Sequence, residues 1–256
     1  MRAATVPASH SPASVQRYAR GIFFISLVLV SPLGAQPPDL LKKIAAREAE
    51  TEAERAHYLY RQTMQVEELE TNGKRNGEYR EVREVIFSPS GERTEQFTGT
   101  PVNRLFRLQL TEDDFRDLRE IQPLMLTPEL VPRYETKFRG EETVEGRDCW
   151  VLEVKPRQIF QGERYFQGMV WALQADSSVV RMEGQAVPPV YKDGKESLFP
   201  HFITVRKQVD GRWWFPFSTA ADDVMPFRTG PLRLRMKVQY ENYKKFSTDS
   251  KITFEK

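Results

Sequence analysis

The stretch LRLRMKVQYENY, residues 232–243, alternates apolar and polar side chains more cleanly than any other part of this 256-residue chain. Leu232, Leu234, Met236, Val238 and Tyr240 share one parity, and Arg233, Arg235, Lys237, Gln239 and Glu241 the other. Successive side chains of a strand point to opposite faces, so this pattern specifies a strand with one greasy face and one wet face. Whatever architecture the chain adopts must cover that greasy face.

The same period recurs along the chain. HYLYRQTMQVEELE puts Tyr58, Tyr60, Met64 and Val66 on one parity, and YREVREVIF follows the turn signals Asn72-Gly73 and Asn76-Gly77. From residue 133 onward nearly everything reads as antiparallel strand. Tyr134 and Phe138 share a face, as do Trp150, Leu152 and Val154, and Trp171 lies in a strand that turns at Asp176-Ser177 toward Met182. Asp210-Gly211 is a two-residue hairpin signal, Pro216 points to an edge or bulge, and Thr229-Gly230 turns the chain into the opening strand.

Two helices interrupt this meander. Asp39 is placed to cap LLKKIAAREAETEAERA, a helix anchored by Leu40, Leu41, Ile44 and Ala45 and mostly solvated toward its end. LTEDDFRDLREI starts a second, with Thr111 as cap and Asp114 answering three residues later. An irregular crossing with Pro123, Pro128 and Pro132 comes next.

The predicted class is therefore α+β, mainly antiparallel β, with about nine strands and two helices. Strands about 4.8 Å apart, each about eight residues long at about 3.3 Å per residue, give a face of roughly 1,200 Å². Helices about 10 Å wide cover roughly 270 Å² with eighteen residues and 170 Å² with eleven, about a third of it together. The remainder is hidden by curling the sheet upon its own bulky side chains, or left as an apolar hollow.

The first 35 residues stand apart from this fold. Arg2, Arg17 and Arg20 precede the apolar run GIFFISLVLV and the small residues before Ala35, the pattern of a secretory signal peptide cleaved near Ala35. The expected organisation is a leader over 1–35 and one domain over 36–256. The leader holds three arginines and no acid, so the rest carries 35 basic and 36 acidic side chains against 38 and 36 for the whole. That balance gives no case for a nucleic-acid partner. Cys149 is the only cysteine and sits in the apolar run CWVLEV, which reads as a buried small hydrophobe rather than a reactive thiol.

Chemistry-bearing constellations are missing after the leader. His57 and His201 have no metal-ligand spacing, and no GxSxG, GxxxxGK[ST] or GxGxxG occurs. Asp222-Asp223 is the one acid pair near aromatics, but neighbours in a strand face opposite ways. No catalytic residue, metal or cofactor is expected. Arg233, Arg235 and Lys237 form a basic stripe that is either a wet outer face or a docking surface for an acidic partner.

At CWVLEVKPR, YFQGMVWALQADSSVVRMEG and GRWWFPFSTAADD the chain resembles the LolA/LolB-like superfamily of periplasmic proteins, which includes lipoprotein carriers and RseB-like sensors. Trp171 and Arg181-Met182-Glu183 stand where that pattern has its Trp and R-x-E. The resemblance implies a curled incomplete β-barrel closed by an N-terminal helix and a short helical lid, around a hollow that accepts acyl chains. The carriers' latching arginine is not matched, since Ser88-Pro89 stands in its place. The expected function is a non-catalytic periplasmic protein holding lipid or lipoprotein acyl chains, as carrier or sensor. The alternative is an RseB-like module that binds an envelope protein. The expected pocket lining is Tyr134, Phe138, Trp150, Leu152 and Val154 together with Trp171, Met182, Leu234, Met236 and Val238; the docking stripe, if the basic face serves as one, is Arg233, Arg235 and Lys237.

Overall fold

A computed structural model describes residues 36–88, 92–121, 123–192 and 195–246. The expected leader and Pro89 lie outside the described residues.

The alternating stretch forms β13, Leu232–Lys245, with Leu232, Leu234, Met236, Val238 and Tyr240 buried and Arg233, Arg235 and Lys237 exposed. It lies between the first long strand and the one before it in sequence. β1 is Tyr58–Leu69, β2 Arg75–Phe87, β3 Arg93–Phe97 and β4 Val102–Asn103. β5 is Tyr134–Val144, β6 Arg147–Pro156, β7 Tyr165–Leu173 and β8 Val179–Val187. β9 is Val190–Lys192, β10 Lys195–Ser197, β11 Phe202–Val209 and β12 Trp213–Met225. The main sheet runs β3-β2-β1-β13-β12-β11-β8-β7-β6-β5, with β4 beside β2, and β9 and β10 pair separately. Every ladder is antiparallel. Among the described residues no ladder joins β3 to β5, so the sheet is an incomplete barrel.

Register shifts at Leu59/Arg61, Glu68/Leu69, Phe138/Gly140, Trp171/Ala172 and Val205/Arg206 add the local twist that curls so wide a sheet. The last of these is the irregularity expected at Pro216, which sits as a bulge in a central strand. Asp210-Gly211 makes the expected hairpin with positive φ at both residues, 49° and 66°. Asn76-Gly77 does not turn the chain: it lies inside β2. A Cβ at Gly77 would stand 2.7 Å from the Glu68 carboxylate and 2.9 Å from the Arg104 carbonyl, so glycine is there for close approach.

The concave face is covered by α1, Leu40–Arg55, and α2, Glu112–Glu120, together with the crossing that follows α2. α2 begins in the expected capping box, Thr111 and Asp114 bonding each other's backbone N–H. α1 departs from expectation twice. Asp39 adopts a left-handed conformation (φ 57°) and makes no side-chain cap. The inward stripe also does not end at Ala45 but continues through Glu48, Thr51 and Arg55, all buried. These positions follow Leu40 and Ile44 at helical spacing, so the second half of the helix turns polar groups toward the sheet.

Arg206 of β11 answers this polarity. Its side chain is 0% exposed and grips the 1%-exposed Glu48 side chain through two bonds of 2.7 and 3.0 Å. A third bond of 2.6 Å goes to the Leu124 carbonyl, while Glu48 accepts from the Leu126 N–H at 3.2 Å. One ion pair thus joins α1, the sheet and the crossing. Removing one partner strands a buried charge, so Glu48→Ala should lower stability by about 3–5 kcal/mol. The Glu48→Leu, Arg206→Met double variant should recover most of that loss in urea unfolding. Strictly additive losses would show that the pair is not coupled.

Candidate ligand cleft

The sheet's inner cluster draws on nearly every long strand. Leu152, Val154, Met182, Leu234, Met236 and Val238 are buried in it beside Leu40, Ile44, Leu118, Leu124 and Leu126, and Phe138 and Trp150 are half-buried against it. α1, α2 and the crossing therefore fill most of the concave face. Of the expected lining residues, Phe138, Trp150, Leu152, Val154, Met182, Leu234, Met236 and Val238 line neither of the two cavities described below.

Space remains at one end. A cavity of about 500 Å³ opens between the last turn of α1 (Glu52, Arg55), the end of α2 (Arg116, Arg119, Ile121), the crossing (Pro123, Leu124, Met125, Leu130), Arg133-Tyr134, and Gly162–Tyr165 before and at the start of β7. Tyr134 is the one expected lining residue found there. Its hydroxyl accepts the Phe166 N–H at 3.3 Å, its ring meets Tyr165 edge-on at 6.4 Å, and burial pushes its pKa up.

Arg164 fixes the walls. Its guanidinium bonds the Asp117 carboxylate of α2, each side chain 1% exposed, and also reaches the Ser197 carbonyl at 2.7 Å and hydroxyl at 2.6 Å. The Ser197 hydroxyl donates onward to Asp114 at 2.9 Å, which ties α2 to β7 and β10. At the rim Arg116 pairs with Asp113 at 2.9 Å, and Arg133 stands 4.0 Å from Glu163, which also accepts the Tyr165 hydroxyl at 2.5 Å. The lining is thus five arginines and two glutamates over an apolar floor. Sequence reading missed the arginines because they are scattered through α1, α2 and two loops; the helical spacing of Arg55 behind Glu48 was the one available signal.

Trp171 lies on the other side of the sheet. It packs with Cys149, Val151, Leu173, Val180 and Trp214 in a second cluster. Its indole N–H donates to Glu142 at 2.7 Å, and Arg181 lies 4.9 Å over its ring. Cys149 is buried there, and desolvation raises its thiol pKa, as suits a core residue. A smaller cavity of about 250 Å³ borders this cluster at Val180 and Trp214 and reaches the β5–β6 turn at Glu145 and Arg147.

The basic stripe is largely spent within the chain. Asp222 stands opposite Arg235 in the β12–β13 ladder and binds Arg233 at 2.9 Å and Arg235 at 3.1 Å, while Arg235 also approaches Glu67 at 3.6 Å. Those bonds, Arg233's first, hold the Asp222 carboxyl below its usual range. Asp223 accepts the His201 backbone N–H at 3.1 Å, so the two acids serve different partners. Lys237 is exposed on the same strand face.

The molecule defined by these elements is a half-barrel: an open antiparallel sheet, two helices in its concavity, and a basic cleft at one end. No family model and no curated protein matches the chain. Among solved structures it is similar to a DUF1329 family protein from Desulfovibrio piger, with 12% identity over 84% of this chain and 95% of that one and a TM-score of 0.41. It is also similar to a domain named as an outer membrane lipoprotein-sorting protein from Vibrio parahaemolyticus (13%, 82% and 93%, TM-score 0.39). A third is a LolA superfamily protein from Nitrosomonas europaea (12%, 79% and 94%, TM-score 0.36).

Burial pushes the Asp117 carboxyl up to about 6 even though Arg164 opposes the shift. The unfolded carboxyl releases its proton near 3.8, so charging it in place disfavours the folded state. Stability should therefore fall as pH climbs from about 4 to about 6, and Asp117→Asn should flatten that slope in pH-dependent thermal melts. An unchanged slope in the variant would assign the dependence elsewhere.

Proposed function

We propose that the protein is an exported, non-catalytic binding protein of the cell envelope that holds lipid or lipoprotein acyl chains, as carrier or sensor. The cleft beneath α2 carries this reading. Its volume of about 500 Å³ falls in the range of roughly 300–1,000 Å³ typical of small-molecule sites. Ile121, Leu124, Met125 and Leu130 give it the apolar floor that a hydrocarbon chain needs. The leader pattern and the resemblance read from residues 149–223 point the same way. The ligand site in this proposal is the end cleft rather than the full inner face, which side chains already occupy.

An envelope protein partner is the second reading, with Arg233, Arg235 and Lys237 as its docking stripe. Ion pairs with Asp222 leave Lys237 as the most available of the three.

Protein extracted from membranes should carry co-purifying lipid in native mass spectrometry. Leu130→Trp, a change at a half-buried wall position, should fill the cleft and reduce uptake of a neutral fluorescent acyl probe by at least about tenfold with little loss of fold. Repeated absence of lipid, with no probe uptake by the unaltered chain, would end the carrier reading. Loss of an envelope partner from the triple Glu variant of the stripe, with lipid retained, would favour docking.

A further inference from the structure

We infer that the cleft is built for an amphiphile with an anionic head, carboxylate or phosphate, and that Arg55 grips the head. This rests on reading the cleft as the ligand site and adds the chemistry of what enters it.

Three arginines are buried among the described residues: Arg55, Arg164 and Arg206. Two have a carboxylate in contact, Asp117 for Arg164 and Glu48 for Arg206. Arg55 has none. It is 9% exposed and makes no ion pair or side-chain hydrogen bond among the described residues, whereas an unpartnered Nε is common to all three arginines. A guanidinium stays protonated under all physiological conditions, and an unpaired buried charge is costly. The side chain lines the cavity, so the missing anion has a place to sit.

The surroundings agree. Arg119 makes no ion pair among the described residues, and Arg116 and Arg133 add positive charge at the rim. Of the two lining acids, Glu163 is engaged by Tyr165 and Arg133. Glu52, one helical turn from Arg55, is pushed toward its neutral form by burial against the opposing pull of the Arg55 charge, and it makes no ion pair with Arg55 among the described residues. A carboxylate or phosphate presents two or more oxygens to the planar donor fork of an arginine. The chain attached to that head would lie along Leu124, Met125 and Leu130.

A bland role is open to Arg55, since a cation in the last turn of a helix offsets its dipole. The two roles differ in outcome. Oleate, oleoyl lysophosphatidate and oleyl alcohol are titrated separately against the full chain by displacement of the neutral dye Nile red. Both anionic ligands, or whichever of them has the head that fits, should bind at least about tenfold more tightly than the alcohol. Arg55→Met should abolish that preference, leave alcohol binding in place and raise the melting temperature of the ligand-free protein. Arg55→Lys should keep part of the preference.

Equal binding of all three ligands by the unaltered chain would overturn the inference while leaving the acyl-chain reading intact. So would a preference that survives Arg55→Met, or a variant that only loses stability, as the dipole role requires. Binding of none of the three would remove both readings together.

Discussion

The buried ion pair between Glu48 and Arg206 is the contact through which helices and sheet hold one another. α1 enters the concavity on Leu40 and Ile44, which are fully buried and need no partner beyond other apolar groups. Its second half brings Glu48, Thr51 and Arg55 to the same face. Such a stripe can be buried only where the sheet supplies matching polarity, and β11 does so with one long side chain. The crossing adds to that pair through the Leu124 carbonyl and the Leu126 N–H. Exchange of either charge alone would leave backbone and side chain unpaired in a dry interior, where such groups are most costly.

The crossing explains why a cleft survives beside so full a core. Pro123, Pro128 and Pro132 prevent it from continuing α2 as a helix, and its backbone is satisfied by side chains and short turns instead. It covers the middle of the sheet closely but stands away from α1 near Arg55. α2 is held at its own distance by Arg164, Asp117 and Ser197. Elements fixed by separate polar anchors do not close on one another as apolar faces do, and the gap keeps its arginines.

Several local signals in the sequence read correctly, although the Asp39 cap did not form. Alternation identified β13 and its buried parity, Asp210-Gly211 its hairpin, Thr111 and Asp114 the start of α2, and Pro216 a bulge. Local signals misled where a distant group decided the outcome. Asn76-Gly77 looks like a turn, yet Glu68 and the Arg104 backbone crowd that glycine within β2. Glu68 is itself committed to the backbone N–H groups of Phe106 and Arg107, at 2.9 and 2.7 Å. Trp171 has the size and setting of a pocket residue, but Val170 and Ala172 take the inner face and leave it to the outer cluster. Arg55 reads as one more charge at a helix end, because nothing nearby in sequence says that a cavity will form beside it.

The sequence by itself determined the kind of molecule: antiparallel strands set by a two-residue period, two helices, the second begun by a polar cap, and a greasy face too broad for those helices to cover flat. These follow from interactions among residues close along the chain. Tertiary structure alone decided that β13 runs between β1 and β12, that helices and crossing pack into the inner face beside an end cleft, and that Arg55 is buried there without an ion pair among the described residues. Each of those depends on which distant groups meet, and burial and pairing are properties of the meeting rather than of either segment.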